Sequence, residues 1–214
     1  VEAIEKIKDL AKSTAMEIAT KKPKLKVAVV VGHNEENQGY FSTILGKTEY
    51  ELMTEVAEEM YHPLIDFKIF YRKPSSTYPK EIKEVYNRVD DWGADLSIEL
   101  HFNAFDSKSN RIGHGTETLS SGSVKSLILA ECLQNSMIDV LKLKDRGVKV
   151  VTKRHRGGKS LHYGKAPAAL IEPFFGDEKE DVEAFEKVGV SGLAESLVEA
   201  VLDYKQKVNH SGKV

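Results

Sequence analysis

Short apolar runs alternate along the chain with longer stretches whose apolar residues return every three or four positions. Lys26-Val27-Ala28-Val29-Val30-Val31 is almost wholly apolar, the pattern of a strand covered on both faces. Leu96, Ile98 and Leu100 alternate with polar residues, which predicts a strand with one well-buried side. Residues 66–71, 116–119, 147–152 and 168–171 supply the remaining strand-like runs. Between the strands the period changes. Thr48 and Glu51 form a capping box ahead of a stripe of Leu52, Met53, Val56 and Met60, predicting a helix. Residues 80–92 place Ile82, Val85, Val89 and Trp92 inward, and Gly93 closes that helix. Residues 123–143 turn Leu127, Ala130, Leu133, Met137, Val140 and Leu141 to one face, and 178–207 is helical with a break near Gly189 to Gly192. Residues 2–20 carry Ile4, Ile7, Leu10, Ala11 and Ile18 at helical spacing, and Lys21-Lys22-Pro23 ends that helix.

Strands alternating with helices predict an α/β fold. The expected architecture is one domain with a twisted, mostly parallel or mixed sheet of about six strands and helices on both faces. The expected division is an amphipathic helix over 1–22, the main domain over 23–208 and a frayed tail over 209–214. Residues 32–48 lack any period and read as a long loop over the first strand's end, the kind of loop that usually carries function.

Composition narrows the reading. With 31 basic and 33 acidic residues the net charge is −2, which argues against a general nucleic-acid binder. Cys132 is the single cysteine, so an intrachain disulfide and a thiolate metal cluster are excluded. No run approaches the ~20 apolar residues of a membrane span, so no integral membrane segment is expected. Residues 1–22 are charged throughout and do not read as a signal peptide. Oligomeric state is not legible.

Three strand-like runs end in a residue able to ligate metal or move a proton. The first runs into Gly32-His33, the third into His101, and the last into Glu172-Pro173. In an open α/β sheet, chemistry gathers outside the carboxyl ends of the strands. Catalytic zinc takes three protein ligands and keeps a fourth position for water. His33, Glu49 and His101 offer two imidazoles and a carboxylate for such a site, with Glu172 as the neighbouring base. Taken singly, each has an ordinary structural role. A histidine at a strand end is commonly just hydrogen-bonded, and Glu49 in a helix's first turn suits the helix dipole. No HExxH pair is present.

The chain resembles the zinc-dependent N-acetylmuramoyl-L-alanine amidases. The motifs are Val30-Val31-Gly32-His33-Asn34, Thr48-Glu49-Tyr50-Glu51, Ser97-Ile98-Glu99-Leu100-His101-Phe102-Asn103-Ala104, Gly115-Thr116-Glu117, Lys144-Asp145-Arg146-Gly147-Val148 and Pro167-Ala168-Ala169-Leu170-Ile171-Glu172-Pro173-Phe174-Phe175, in that order. The resemblance covers roughly residues 26–207 and makes 23–208 the catalytic domain. It implies a hydrolase that cuts the amide between N-acetylmuramic acid and L-alanine of peptidoglycan, as a phage or prophage endolysin or an autolysin. It further implies that His33, Glu49 and His101 hold Zn2+ and that Glu172 is catalytic. The implied setting is the bacterial periplasm, cell wall or exterior, or the host cytoplasm before release for a phage protein. Two departures stand out: Asn34-Glu35-Glu36-Asn37 replaces a glycine-rich turn, and Met53 stands where many members have asparagine. Glu51 remains a rival ligand to Glu49.

Two other readings share these residues: a zinc peptidase acting on stem peptides, and a non-catalytic wall-binding domain. His62 and His210 read as surface residues, and His114 and His155 as loop residues. His162 precedes the last strand and is not singled out as a site residue. The basic stretch 153–159 reads as a solvated loop.

Overall fold

The computed structural model describes residues 23–105 and 113–211. The helix expected over 1–22 lies outside the described residues. The elements in chain order are β1 (Leu25–Val31), β2 (Phe41–Ser42), β3 (Lys47–Thr48), α1 (Glu49–Glu59), β4 (Ile65–Tyr71), α2 (Tyr78–Trp92), β5 (Leu96–Leu100), β6 (Thr116–Ser120), α3 (Val124–Leu141), β7 (Asp145–Val150), α4 (Gly158–Tyr163), β8 (Ala168–Glu172) and α5 (Lys179–Ser211). Six strands form one sheet in the order β4-β1-β5-β8-β6-β7, and β2 and β3 form a separate hairpin. β4, β1, β5 and β8 run parallel. β6 runs antiparallel to β8, and β7 is parallel to β6.

Both faces of the sheet are covered, which is why β1 is apolar at nearly every position. Val27, Val29 and Val31 pack with α1, α3 and α5 in the larger core. Ala28 and Val30 point the other way, onto Ile82, Val85, Tyr86 and Val89 of α2. β5 corrects the expectation of one buried side. All five of its residues are buried, Ser97 and Glu99 among them, because it lies between β1 and β8 under helices on both faces.

The helix signals act as expected at the ends. Thr48 and Glu51 form the capping box of α1, and Gly93 closes α2 at φ 74°. α5 breaks at Gly189, where φ 72° and ψ 177° leave the helical region. It continues to Ser211, three residues into the stretch expected to be tail. On α3 the buried stripe includes Leu129, and Leu127 is only half-buried. Trp92 is half-buried too, with the Lys26 and Lys68 ammonium groups over its ring at 5.1 and 5.5 Å. The long loop after β1 is folded back on itself by the β2–β3 hairpin, and α4 occupies part of the region read as loop.

Candidate metal centre

The register of the sheet gathers the candidate residues. Val31 pairs with Leu100 and Leu100 with Ile171, so β1, β5 and β8 end at one level. His33, His101 and Glu172 therefore stand together at one rim. Backbone bonds extend this alignment past the strands: Gly32 N–H donates to Leu100 O at 2.9 Å, His101 N–H to Ile171 O at 3.2 Å, and Asn103 N–H to Phe174 O at 2.9 Å.

Glu49 arrives by a different route. The β2–β3 hairpin ends at Thr48, the N-cap of α1, which makes Glu49 the first residue of the helix. Ser42 Oγ donates to Gly176 O at 2.5 Å and fastens the hairpin to the loop after β8. Glu49 is buried, at 1% exposure. Glu51 points away into the capping box, accepting from Thr48 N–H at 2.8 Å, so it is no longer a rival ligand.

His33, Glu49 and His101 each bring a ligand atom to within 4.8 Å of the others. His101 Nδ1 lies 2.5 Å from Glu49 Oε1, and His33 Nε2 lies 3.0 Å from Glu49 Oε2. The second contact lacks hydrogen-bond geometry, and His33 Nε2 is buried with no hydrogen-bond partner. A buried imidazole nitrogen left without a partner beside a carboxylate is a donor atom aimed at something other than protein. Two glycines permit the close approach. A Cβ at Gly32 would fall 2.4 Å from the His101 ring, and one at Gly39 would fall 2.7 Å from both Glu49 Oε2 and the His33 ring. His33 itself holds a positive φ of 65°, a conformation uncommon for a residue with a side chain and a mark of functional sites. The turn that follows is closed by Asn34, whose Oδ1 accepts from the N–H groups of Glu36 and Asn37 at 3.0 and 2.9 Å. An Asx turn thus does the work of the missing glycine-rich turn.

Charge at the cluster is polarised. Burial acts against the ionised form of Glu49, but the hydrogen bond of His101 and the charge of both imidazoles outweigh it and hold the carboxyl at about 2. Burial likewise acts against charged His101, and the hydrogen bonds of Glu49 and Glu99 prevail, lifting it to about 10. Two imidazoles and a carboxylate converging on one point suit a divalent cation, which would replace the proton between Glu49 and His101.

Glu172 differs from both. Its Oε2 is buried and unpaired. Burial raises its pKa to about 8; the His101 charge offsets part of that rise and the Glu49 charge adds to it. Glu117 stands directly opposite Glu172 across the β6–β8 pair. Asn103 Nδ2 and Arg146 Nε donate to Glu117 at 2.8 and 2.9 Å, and the Arg146 guanidinium lies 4.9 Å over the Phe175 ring. These residues line a cleft of about 1040 Å³ together with His33, His101, Arg72, His155 and Arg156. That volume is at the top of the ~300–1,000 Å³ range of small-ligand pockets and suits a segment of polymer.

The structure adds residues that the sequence pattern did not single out: Glu99 behind His101, the Glu117–Arg146 pair, and Arg156 from the basic stretch. Residues 153–156 are exposed, as expected of a solvated loop, and His155 and Arg156 also line the cleft. His162 is structural, its Nε2 lying 2.8 Å from Val151 O. The His114 carbonyl accepts from Arg146. His62 Nδ1 accepts from Leu64 N–H and His210 Nδ1 lies 2.6 Å from Gln206 O, both away from the cleft.

A cluster of two histidines and a carboxylate, with an unpaired glutamate beside it at the strand ends of an α/β sheet, is the arrangement of a metal-dependent hydrolase. The sequence profile of the N-acetylmuramoyl-L-alanine amidase family matches residues 27–203, and the chain belongs to that family. The catalytic domain of the CD27L endolysin, which targets Clostridium difficile, is 31% identical with a TM-score of 0.64 over 84% of this chain and 97% of that one. The N-acetylmuramoyl-L-alanine amidase of Clostridium difficile 630 shares the fold, with a TM-score of 0.68 at 24% identity over 86% and 98% of the two chains. A Clostridium perfringens protein described as an uncharacterized 38.4 kDa protein is 26% identical over 175 residues, 77% of this chain and 47% of its own length. The chain spans about half the length of the curated relatives it matches. No helix among the described residues is long and apolar enough to cross a membrane.

Proposed function

We propose that this chain hydrolyses the amide between the lactyl group of N-acetylmuramic acid and the L-alanine of peptidoglycan stem peptides, with His33, Glu49 and His101 holding Zn2+. Family membership supports the bond. The observation that carries the chemistry is the Glu172 carboxyl, its Oε2 buried and unpaired, lining the same cleft as His33 and His101. A zinc ion held by the three side chains would acidify a water and polarise the amide carbonyl.

The chain's own residues supply the rest. Glu172 takes a proton from the attacking water as the carbon–oxygen bond forms. It then passes that proton to the amide nitrogen, so that the carbon–nitrogen bond breaks to give a lactyl carboxylate and the free amine of L-alanine. Its raised pKa suits the second role. A dication held by His33, Glu49 and His101 would favour the carboxylate form needed for the first. Arg146, Glu117 and Asn103 form a polar wall on which the peptide can lie. Peptidoglycan is the proposed partner, and the bacterial cell wall, periplasm or exterior the proposed setting, as for an endolysin or an autolysin.

The reading is tested by the metal. The purified chain should carry one zinc per molecule and release amino groups from purified peptidoglycan. Chelation should stop that release and added zinc restore it. His101→Ala, if folded by circular dichroism, should lose the zinc; a folded His101→Ala that keeps full zinc removes this residue from the site.

A further inference from the structure

Glu99 occupies the centre of β5 with 1% exposure. A carboxylate buried in mid-strand is costly unless every lone pair finds a donor. Three donors surround it. His101 Nε2 lies 3.0 Å from Glu99 Oε1, Tyr86 Oη donates to Oε2 at 2.7 Å, and Arg72 Nη1 donates to Oε1 at 3.4 Å. Arg72 is already neutralised by Glu81, with Nε donating at 2.7 Å. Pairing Arg72 therefore does not account for a second buried carboxylate, and the shorter contacts of Glu99 are to Tyr86 and His101.

We infer that Glu99 is a positioning residue for the metal centre: it accepts the Nε2–H of His101 and so leaves Nδ1, the nitrogen facing Glu49, as the one that ligates. The inference rests on the zinc site proposed above. Its physical basis is that an ionised carboxylate only accepts hydrogen bonds. With Glu99 on its Nε2 side, neutral His101 has one favourable tautomer, and its Nδ1 lone pair is directed into the cluster. A carboxylate behind a ligating histidine fixes the ring and raises the basicity of the ligating nitrogen. Tyr86 and Arg72 hold the carboxylate in turn, so the chain of contacts runs from α2 through Glu99 to the rim of the sheet. Glutamine at 99 keeps the shape but has one oxygen for three donors. Its amide N–H would face a donor or pair with the wrong tautomer.

The experiment compares wild type and Glu99→Gln, stripped of metal and titrated with zinc. A chromophoric chelator in competition reads the dissociation constant. Ring 1H–15N correlations of the histidine-labelled, zinc-loaded proteins read which nitrogen of His101 carries the proton. In the wild type, Nε2 should carry the proton and Nδ1 the metal. Glu99→Gln should weaken zinc about 10–100-fold and lose the exchange-protected Nε2–H signal, with unchanged circular dichroism. A folded Glu99→Gln with wild-type zinc affinity and wild-type ring signals overturns the role. If Glu99→Gln does not fold, the wild-type spectrum decides alone: a proton on Nδ1 with zinc on Nε2 overturns it as well. A wild type that takes up no zinc defeats the metal reading itself, and the role of Glu99 with it.

Discussion

Glu172 and Glu49 are carboxyl groups at the same rim, and their surroundings drive them in opposite directions. Glu49 has two imidazoles against it and stays ionised; Glu172 has an unpaired oxygen and holds its proton to about pH 8. Such a divergence marks different jobs for the two groups. Glu172→Gln, nearly isosteric, should keep the fold and the zinc but lose activity by about 10²–10⁴-fold, the usual contribution of a positioned acid–base group. The same variant has a second signature without metal. Between the unfolded value of 4.5 and the folded value of about 8, the folded chain keeps a proton that the unfolded chain has released. Stability of the metal-free wild type therefore falls, on account of this group, as pH rises through that window. Melting temperatures of metal-free wild type and Glu172→Gln should separate progressively from about pH 5 to about pH 9, the variant becoming the more stable. A constant difference across that range would mean that Glu172 is not held protonated. His33, His101 and Glu172 were legible in the sequence because each terminates an apolar run, where a charged or ligating side chain has no packing reason to be. Glu99 was hidden by the same logic. In Leu96-Ser97-Ile98-Glu99-Leu100 it reads as the solvent-facing partner of an alternation, and only the position of β5 between two strands and under two helical layers puts it inside. Glu117 and Arg146 were visible as parts of motifs, but their meeting depends on β6 and β7 running opposite to β8.

At the scale of elements, the site depends on where α1 begins. Thr48 ends the hairpin, caps the helix and fixes Glu49 as its first residue, so one capping box sets both helix stability and the position of a candidate ligand. Thr48→Ala should cost about 1 kcal/mol (range ~0.5–2) in chemical denaturation. It should also weaken zinc retention, because Glu49 loses its fixed place. Full zinc affinity with the expected loss of stability would separate the two functions of the cap. The capping box, the Gly93 stop and the Gly189 break were readable because each is a local chemical requirement carried by one or two residues. The hairpin and α4 were not. Strands of two residues have no period to detect, and Gly158–Tyr163 is too short for apolar spacing to repeat.

For the whole molecule, the feature that matters is that the three candidate ligands come from three separate parts of the chain, brought level by β1, β5 and the hairpin. A cation bound by all three ties the parallel half of the sheet to α1 and cannot bind the unfolded chain in the same way. Metal should thus stabilise the fold globally, by about 2.7 kcal/mol at free zinc 100 times the dissociation constant, and chelation should lower the melting temperature. A melting temperature indifferent to zinc and chelator would place the metal outside the folded core. The antiparallel edge, with Glu117 and Arg146, lines the same cleft as His33 and His101. What the molecule does with that cleft is decided by the products. Digestion of purified peptidoglycan by the zinc-loaded chain, followed by mass spectrometry, should yield stem peptides beginning with a free L-alanine amino group and glycan strands bearing unsubstituted lactyl carboxylates. Peptides with new amino termini further along the stem, and L-alanine still joined to the lactyl group, would contradict the account and assign the chain to stem-peptide cleavage instead.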